Sequence, residues 1–192
     1  MLKDLLIQRN SVRQFQDRTI PPEVIEAILE AGRLSPSGGN EQPWIFGVVT
    51  DKDQIGEITQ IAARQMWLAH APLLIILCTV FVDDIRGGRD IQCERFPEYA
   101  PVFKNLDQGI YWALNQEEHQ TKIAGTHMVL AALGYGMGSC WVSRFDVVRL
   151  AKYFNLPSGV LPSEILAMGY PAGKQKLIPK KSLVDLVFYG KY

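Results

Sequence analysis

Ser35-Pro36-Ser37-Gly38-Gly39-Asn40-Glu41-Gln42-Pro43-Trp44 is the stretch on which the reading of this chain turns. It separates a segment of helical periodicity from a β-rich one. Gly38 and Gly39 carry no side chain that would block the close approach of a flat ligand to the backbone, and Ser37 and Asn40 add short polar groups beside them. The same letters would also serve as a plain turn that ends a helix. On the amino-terminal side, Pro21 and Pro22 stand where helices tolerate proline, and Val24, Ile25, Ile28 and Leu29 recur at helical spacing, predicting a helix from about Pro21 to Leu34. On the other side, Trp44 to Thr50 predicts a strand, and Asp51 caps a second helix with Ile55, Ile58, Ala62 and Gln65 on one face.

Further upstream, Arg9-Asn10-Ser11-Val12-Arg13-Gln14-Phe15 offers two cations and a hydroxyl within five residues. Guanidinium groups are planar, permanently charged donors, so Arg9 and Arg13, with Ser11 between them, suit a phosphate or an electron-rich heterocycle. A solvated turn with both arginines in water is the competing reading.

Downstream, Leu73 to Val82 is apolar almost throughout and predicts a central strand covered on both faces. Residues Asp83 to Gln120 differ in kind. They begin with Asp83, Asp84, Arg86, Gly87, Gly88 and Arg89 and continue with the aromatics Phe96, Tyr99, Phe103, Tyr111 and Trp112, as expected of a lid over a binding site or of a peripheral helical layer. Ile123 to Leu133 reads as a helix buried all round and runs into Gly134-Tyr135-Gly136-Met137-Gly138. Those glycines follow a helix, whereas a dinucleotide-binding fingerprint follows a strand and opens a helix. Ser139 to Ser143 then reads as a strand, Asp146 as the cap of a helix through Phe154, and Glu164 to Met168 as a further strand; Leu183 to Phe188 predicts a last β-rich segment.

The bulk composition narrows the choice of partners. With 192 residues, 47% of them hydrophobic, the chain suits one domain spanning 1–192. Lys and Arg total 20, as do Asp and Glu, so no general attraction to nucleic acid or to a membrane surface follows, and any anion must be met locally. Cys78, Cys93 and Cys140 are too scattered for a disulfide framework or zinc site, and His70, His119 and His127 lack metal-binding spacing, so no metal is expected. His127 is expected to be a satisfied core histidine, Cys140 a packing residue, and Glu117-Glu118 a solvated helix start. Met1 to Leu6 shows no export signal, and the longest apolar run is far below the roughly 20 residues of a membrane helix, which points to a reducing cytoplasm.

Four separated segments, in order, resemble the nitroreductase family of FMN-dependent oxidoreductases. Arg9 to Phe15 is similar to its R-x-S-x-R-x-F signature, Ser35 to Trp44 to its A-P-S-x-x-N-x-Q-P-W loop, Gly134 to Trp141 to its G-L-G-S-C-W turn and Leu166 to Pro171 to its L-x-x-G-Y-P element. The resemblance implies a three-layer α+β fold with a mainly antiparallel central sheet flanked by helices, in an intertwined homodimer holding two FMN molecules at its interface. It further implies that Arg9, Ser11 and Arg13 meet the phosphate end and the pyrimidine edge of the flavin. Pro36, Ser37, Gly38 and Asn40 would reach the flavin of the other subunit, Val142 and Ser143 would pass beside the isoalloxazine, and Lys180 or Lys181 would meet the phosphate. Asn10 stands where Arg or His is frequent, Lys180-Lys181 replaces an Arg-containing pair, and Ser143 occupies a position that is acidic in well-studied relatives.

A flavin that accepts hydride gains negative charge near N1 and O2, so a cation there stabilises the reduced form; Arg13 is the first choice, at roughly 1.5 to 3 kcal/mol for a charge-assisted bond. No residue is nominated as catalytic acid, because protons can come from water. The expected activity is hydride transfer from NAD(P)H through FMN, in a ping-pong cycle, to a small electron acceptor such as a nitroaromatic, a quinone or an activated alkene. The alternatives are a family member that dehalogenates, oxidises or cleaves its flavin, and an FMN-binding module without turnover.

Overall fold

Strand β2, Leu73–Val80, is built from eight uncharged residues, of which all but the last are buried. Leu74, Ile76 and Cys78 face one layer and Leu73, Ile75 and Leu77 the other, which is why its apolar character is continuous rather than alternating. The protein, described from a computed structural model, is defined over residues 2–81, 88–115, 119–173 and 178–191. Asp83, Asp84, Arg86, Gly87, Glu117 and Glu118 lie outside the described residues, as does the side chain of His119.

Around β2 the remaining strands, β1 (Trp44–Val49), β3 (Gly138–Val142) and β4 (Val160–Gly169), form one antiparallel sheet in the order β1-β2-β4-β3. Strand β4 begins four residues before the predicted Glu164, because Val160 and Leu161 still pair with Val80 and Thr79 beyond a register shift at Leu77/Cys78. Ser163 Oγ donates to the Leu77 carbonyl at that shift, 3.1 Å away.

The helices are α1 (Leu2–Gln8), α2 (Pro22–Arg33), α3 (Lys52–Ile61), α4 (Gly88–Arg95), α5 (Ala100–Asn105), α6 (Gln108–Asn115), α7 (His119–Gly134) and α8 (Val147–Tyr153). Ile55 and Ile58 of α3 and Leu150 of α8 pack with Leu74, Ile76, Ile165 and Ala167 on one face of the sheet. Ile28 of α2 and Met128 and Val129 of α7 pack with Leu73, Ile75, Leu166 and Met168 on the other. This is the three-layer α+β arrangement expected. Asp51 and Asp146 cap α3 and α8 as predicted, accepting from Gln54 N and Arg149 N at 2.9 Å each.

The described part of the 83–120 region is helical. Arg89 ties it together, donating to the carbonyls of Phe103 and Leu106 and to Gln108 Oε1 while its guanidinium lies 4.6 Å from the Tyr111 ring centre. The predicted strand Leu183 to Phe188 is corrected: Leu183–Asp185 forms a short 3-10 turn and pairs with no strand among the described residues. Its apolar side chains stay in solvent, Leu183 at 75% and Val184 at 83% exposure.

Candidate functional site

The segment Arg9 to Phe15 runs along the β3 edge of the sheet. Val12 N donates to Ser139 O at 2.9 Å, Gln16 N to Tyr170 O at 2.8 Å and Ala172 N to Gln14 O at 2.9 Å, with isolated bridges at Ser11–Ser139 and Phe15–Pro171. Val12 and Phe15 are buried, whereas Ser11 and Arg13 face solvent. Gly138 is required here, since any Cβ would overlap the Val12 side chain. Three of the four family-like segments therefore meet at one edge.

Beside that edge lies a cavity of 650 Å³ where Arg9, Asn10 and Ser11 are joined by Lys180 from the other end of the chain, with Leu6 and Ile178 as apolar walls. Lys181 is exposed and does not line it. Asn10 Nδ2 donates to the Gln8 carbonyl at 3.1 Å. Arg13 stands outside the cavity, 5.8 Å from the centre of the Trp67 ring. Burial pushes the Cys140 thiol up from its ordinary pKa, while the charge of Arg13 and a hydrogen bond from Ser11 oppose the shift, placing both beside β3.

The Ser35 to Trp44 segment sits at the opposite edge, where it feeds β1. Gly39, Asn40 and Gln42 all adopt left-handed backbone, with φ of 56°, 57° and 51°. For Asn40 and Gln42 that conformation costs roughly 1 to 3 kcal/mol each and persists only where surroundings enforce it. The enforcement is visible: Ser37 Oγ accepts from Gln42 N at 2.9 Å, Gln42 Nε2 donates to Asn40 O at 3.3 Å, and Gly38 N donates to Gln120 Oε1 at 2.6 Å. Pro36 is exposed, and Ser35 Oγ lies 2.8 Å from His127 Nδ1, which gives His127 the partner expected of it. No residue of this loop lines the basic cavity. Four inter-strand steps separate the β1 strand from the Arg9 segment, roughly 19 Å at the usual strand spacing.

Val142 is buried on the α3/α8 side, and Ser143 follows it on the α7 side. Ser143 Oγ donates to Glu164 Oε2 at 2.7 Å, and Lys122 Nζ lies 3.2 Å from Glu164 Oε1. Glu164 and Lys122 were not singled out from the chain, although a lone carboxylate within the apolar run Val160–Gly169 is a legible signal. Among the described residues no group of three or more His, Cys, Asp or Glu is placed to hold a metal ion, and no helix is long and apolar enough to cross a membrane.

The chain belongs to the nitroreductase family, whose model matches residues 6–173. Over 168 residues it is 39% identical to the oxygen-insensitive NADPH nitroreductase of Helicobacter acinonychis, covering 80% of this chain and 79% of that protein. It is 44% identical over 172 residues to the iodotyrosine deiodinase of Haliscomenobacter hydrossis, covering 85% and 76%. Among solved structures, an FMN-dependent nitroreductase from Clostridium difficile R20291 superposes with a TM-score of 0.74 at 20% identity, over 98% of each chain, a likeness of fold.

Proposed function

We propose that this chain forms a homodimer in which each FMN is held by the β3 edge of one protomer and the Ser35–Trp44 loop of its partner. The chain is an FMN-dependent NAD(P)H oxidoreductase. The observation that carries the two-protomer reading is the separation of the family-like segments, three at one sheet edge and one at the other. Within one protomer the β1 strand and the Arg9 segment stand roughly 19 Å apart at the usual strand spacing, which favours a loop supplied by a second copy. The apolar side chains left in solvent on α1 and the tail, among them Leu6, Ile7, Leu186 and Phe188, support burial against a second copy.

The residues present fit the cofactor. Arg9, Ser11 and Lys180 in one cavity supply the cations and hydroxyl that a phosphate requires, and Asn10 adds an amide. Lys180 rather than Lys181 is the tail residue that meets the phosphate. Arg13, on the same exposed strip as Ser11, serves the pyrimidine edge, where its charge favours the reduced state. Pro36, Ser37, Gly38 and Asn40 present backbone to the partner's flavin, and Val142 and Ser143 line the isoalloxazine. When bound, FMN accepts hydride and passes it on, so NAD(P)H and the acceptor use one pocket in turn. The acceptor is a small electrophile such as a nitroaromatic or quinone, and the 83–120 region selects it as a lid, with Phe81 stacked on Trp112 at 5.6 Å. The three buried free thiols suit a reducing cytoplasm.

Reductive dehalogenation is the second reading, favoured by the 44% identity to an iodotyrosine deiodinase. One set of assays decides. The purified protein should show flavin absorption, release FMN on heating, and be bleached by NADH or NADPH and restored by a nitroaromatic or quinone. Bleaching by neither nicotinamide rejects the reductase reading, and restoration only by a halophenol selects the second.

A further inference from the structure

The first turn of α7 carries three consecutive residues that reach three separate parts of the fold. Gln120 Oε1 accepts from Gly38 N in the β1-edge loop at 2.6 Å. Thr121 Oγ1 lies 2.9 Å from Thr79 Oγ1 on β2, both buried. Lys122 Nζ pairs with Glu164 on β4, and Glu164 accepts from Ser143 at the end of β3. The register Val142↔Ile165 sets Ser143 opposite Glu164, so the pair spans the β3/β4 ladder directly.

The Glu164 side chain is 3% exposed, in a strand whose neighbours Ile165, Leu166, Ala167 and Met168 are apolar and fully buried. Desolvating a carboxylate and its ammonium partner offsets most of their attraction, and apolar replacements of like volume are often as stable or more so. Stability therefore does not account for an acid here. What the acid does supply is direction: one oxygen is fixed by Lys122 and the other holds the Ser143 hydroxyl.

We propose that Gln120, Lys122 and Glu164 are positioning residues for the flavin. Lys122 and Glu164 set the Ser143 end of β3 against one flavin, Gln120 sets Gly38 of the loop against the partner's, and their shared helical turn couples the two half-sites that one protomer supplies. This rests on the FMN reading above. A misplacement of even 1 Å at a reacting centre costs up to a hundredfold in rate, which makes such remote fixing consequential.

The test uses purified full-length Glu164→Gln, Ser143→Ala, the double variant, Gln120→Leu and, as a comparison, Ser163→Ala, which loses another buried hydroxyl of β4. Visible circular dichroism of bound FMN, FMN affinity by fluorescence quenching, and the rate of flavin bleaching by NAD(P)H are read. The expected result is a changed flavin dichroism and bleaching slowed about tenfold or more in both E164Q and S143A, with the double variant no worse than either. Q120L should weaken FMN affinity about tenfold. S163A should lose stability with wild-type flavin signals. Wild-type dichroism, affinity and bleaching in folded S143A and Q120L overturn the proposal, as does an S163A indistinguishable from them; S143A, on an exposed serine, carries the test if E164Q does not fold. A wild-type protein that takes up no FMN overturns the functional reading together with this one, whereas FMN-loaded wild type with silent variants overturns this one alone.

Discussion

The two edges of the sheet are held by different means. At the β3 edge, the Arg9 to Gln16 segment is stitched by backbone hydrogen bonds to Ser139, Tyr170 and Ala172 and seated on Gly138. That edge is regular, and it displays permanent cations. At the β1 edge, the loop has left-handed backbone at Asn40 and Gln42 and depends on side chains, Ser37, Gln42 and Gln120, to stay in place. It displays backbone rather than charge. Under the function proposed above, the two edges are complementary: fixed positive charge would meet a phosphate on one side, and exposed backbone would allow close approach to a ring system on the other.

The largest test of this division is complementation between protomers. Arg9→Ala removes charge from one edge and should weaken FMN binding about 10- to 150-fold, the equivalent of roughly 1.5 to 3 kcal/mol. Gly38→Val should block approach at the other edge. If a site is shared between copies, co-expression of the two variants restores about a quarter of the wild-type flavin content, because half of the dimers are mixed and each has one intact site. No recovery would place both edges at the same protomer's flavin and break the comparison.

The second test uses the thiols. Burial pushes Cys78, on the β1 side of the sheet, up to about 12, while Arg13 and Ser11 pull against the burial of Cys140 on β3. A thiol with a raised folded pKa contributes stability below its unfolded value near 9.0 and loses it as pH climbs toward 12. Cys78→Val should therefore flatten the fall in stability over that window, by a few kcal/mol at its alkaline end. In urea melts from pH 8 to 11, slopes unchanged by the substitution would contradict it. Arg13→Ala should make Cys140 slower to alkylate at alkaline pH.

Gly138→Ala comes next. Overlap with Val12 should cost about 1 to 3 kcal/mol of stability and release the Arg9 segment, lowering FMN affinity in parallel. A thermal melt with an unchanged midpoint would show the edge to be looser than described. Ser37→Ala is the smallest, losing the bond from Gln42 N for about 1 kcal/mol, with its effect on FMN confined to the partner's site.

Much of this was readable along the chain because the decisive signals are local. Asp51 and Asp146 cap helices through their own side chains, and β2 announces its central place by an almost unbroken apolar run. The four family-like segments were legible as segments, but their grouping at opposite edges depends on the strand order β1-β2-β4-β3, which no local pattern encodes. The early start of β4 was hidden by Pro162 and by the register shift. The Leu183 to Phe188 segment has strand-like composition, yet composition specifies a tendency and not a partner, and this chain offers it none among its described strands. Glu164 escaped notice because its partners, Lys122 and Ser143, are far away in the chain and meet it only after folding.

The basic cavity joins the ninth residue to the hundred-and-eightieth. Arg9 and Lys180 are distant along the chain and meet only through the fold. Cofactor retention therefore reports on completed folding: a chain whose sheet has not yet assembled holds the two cations apart and offers a phosphate only half of its cradle.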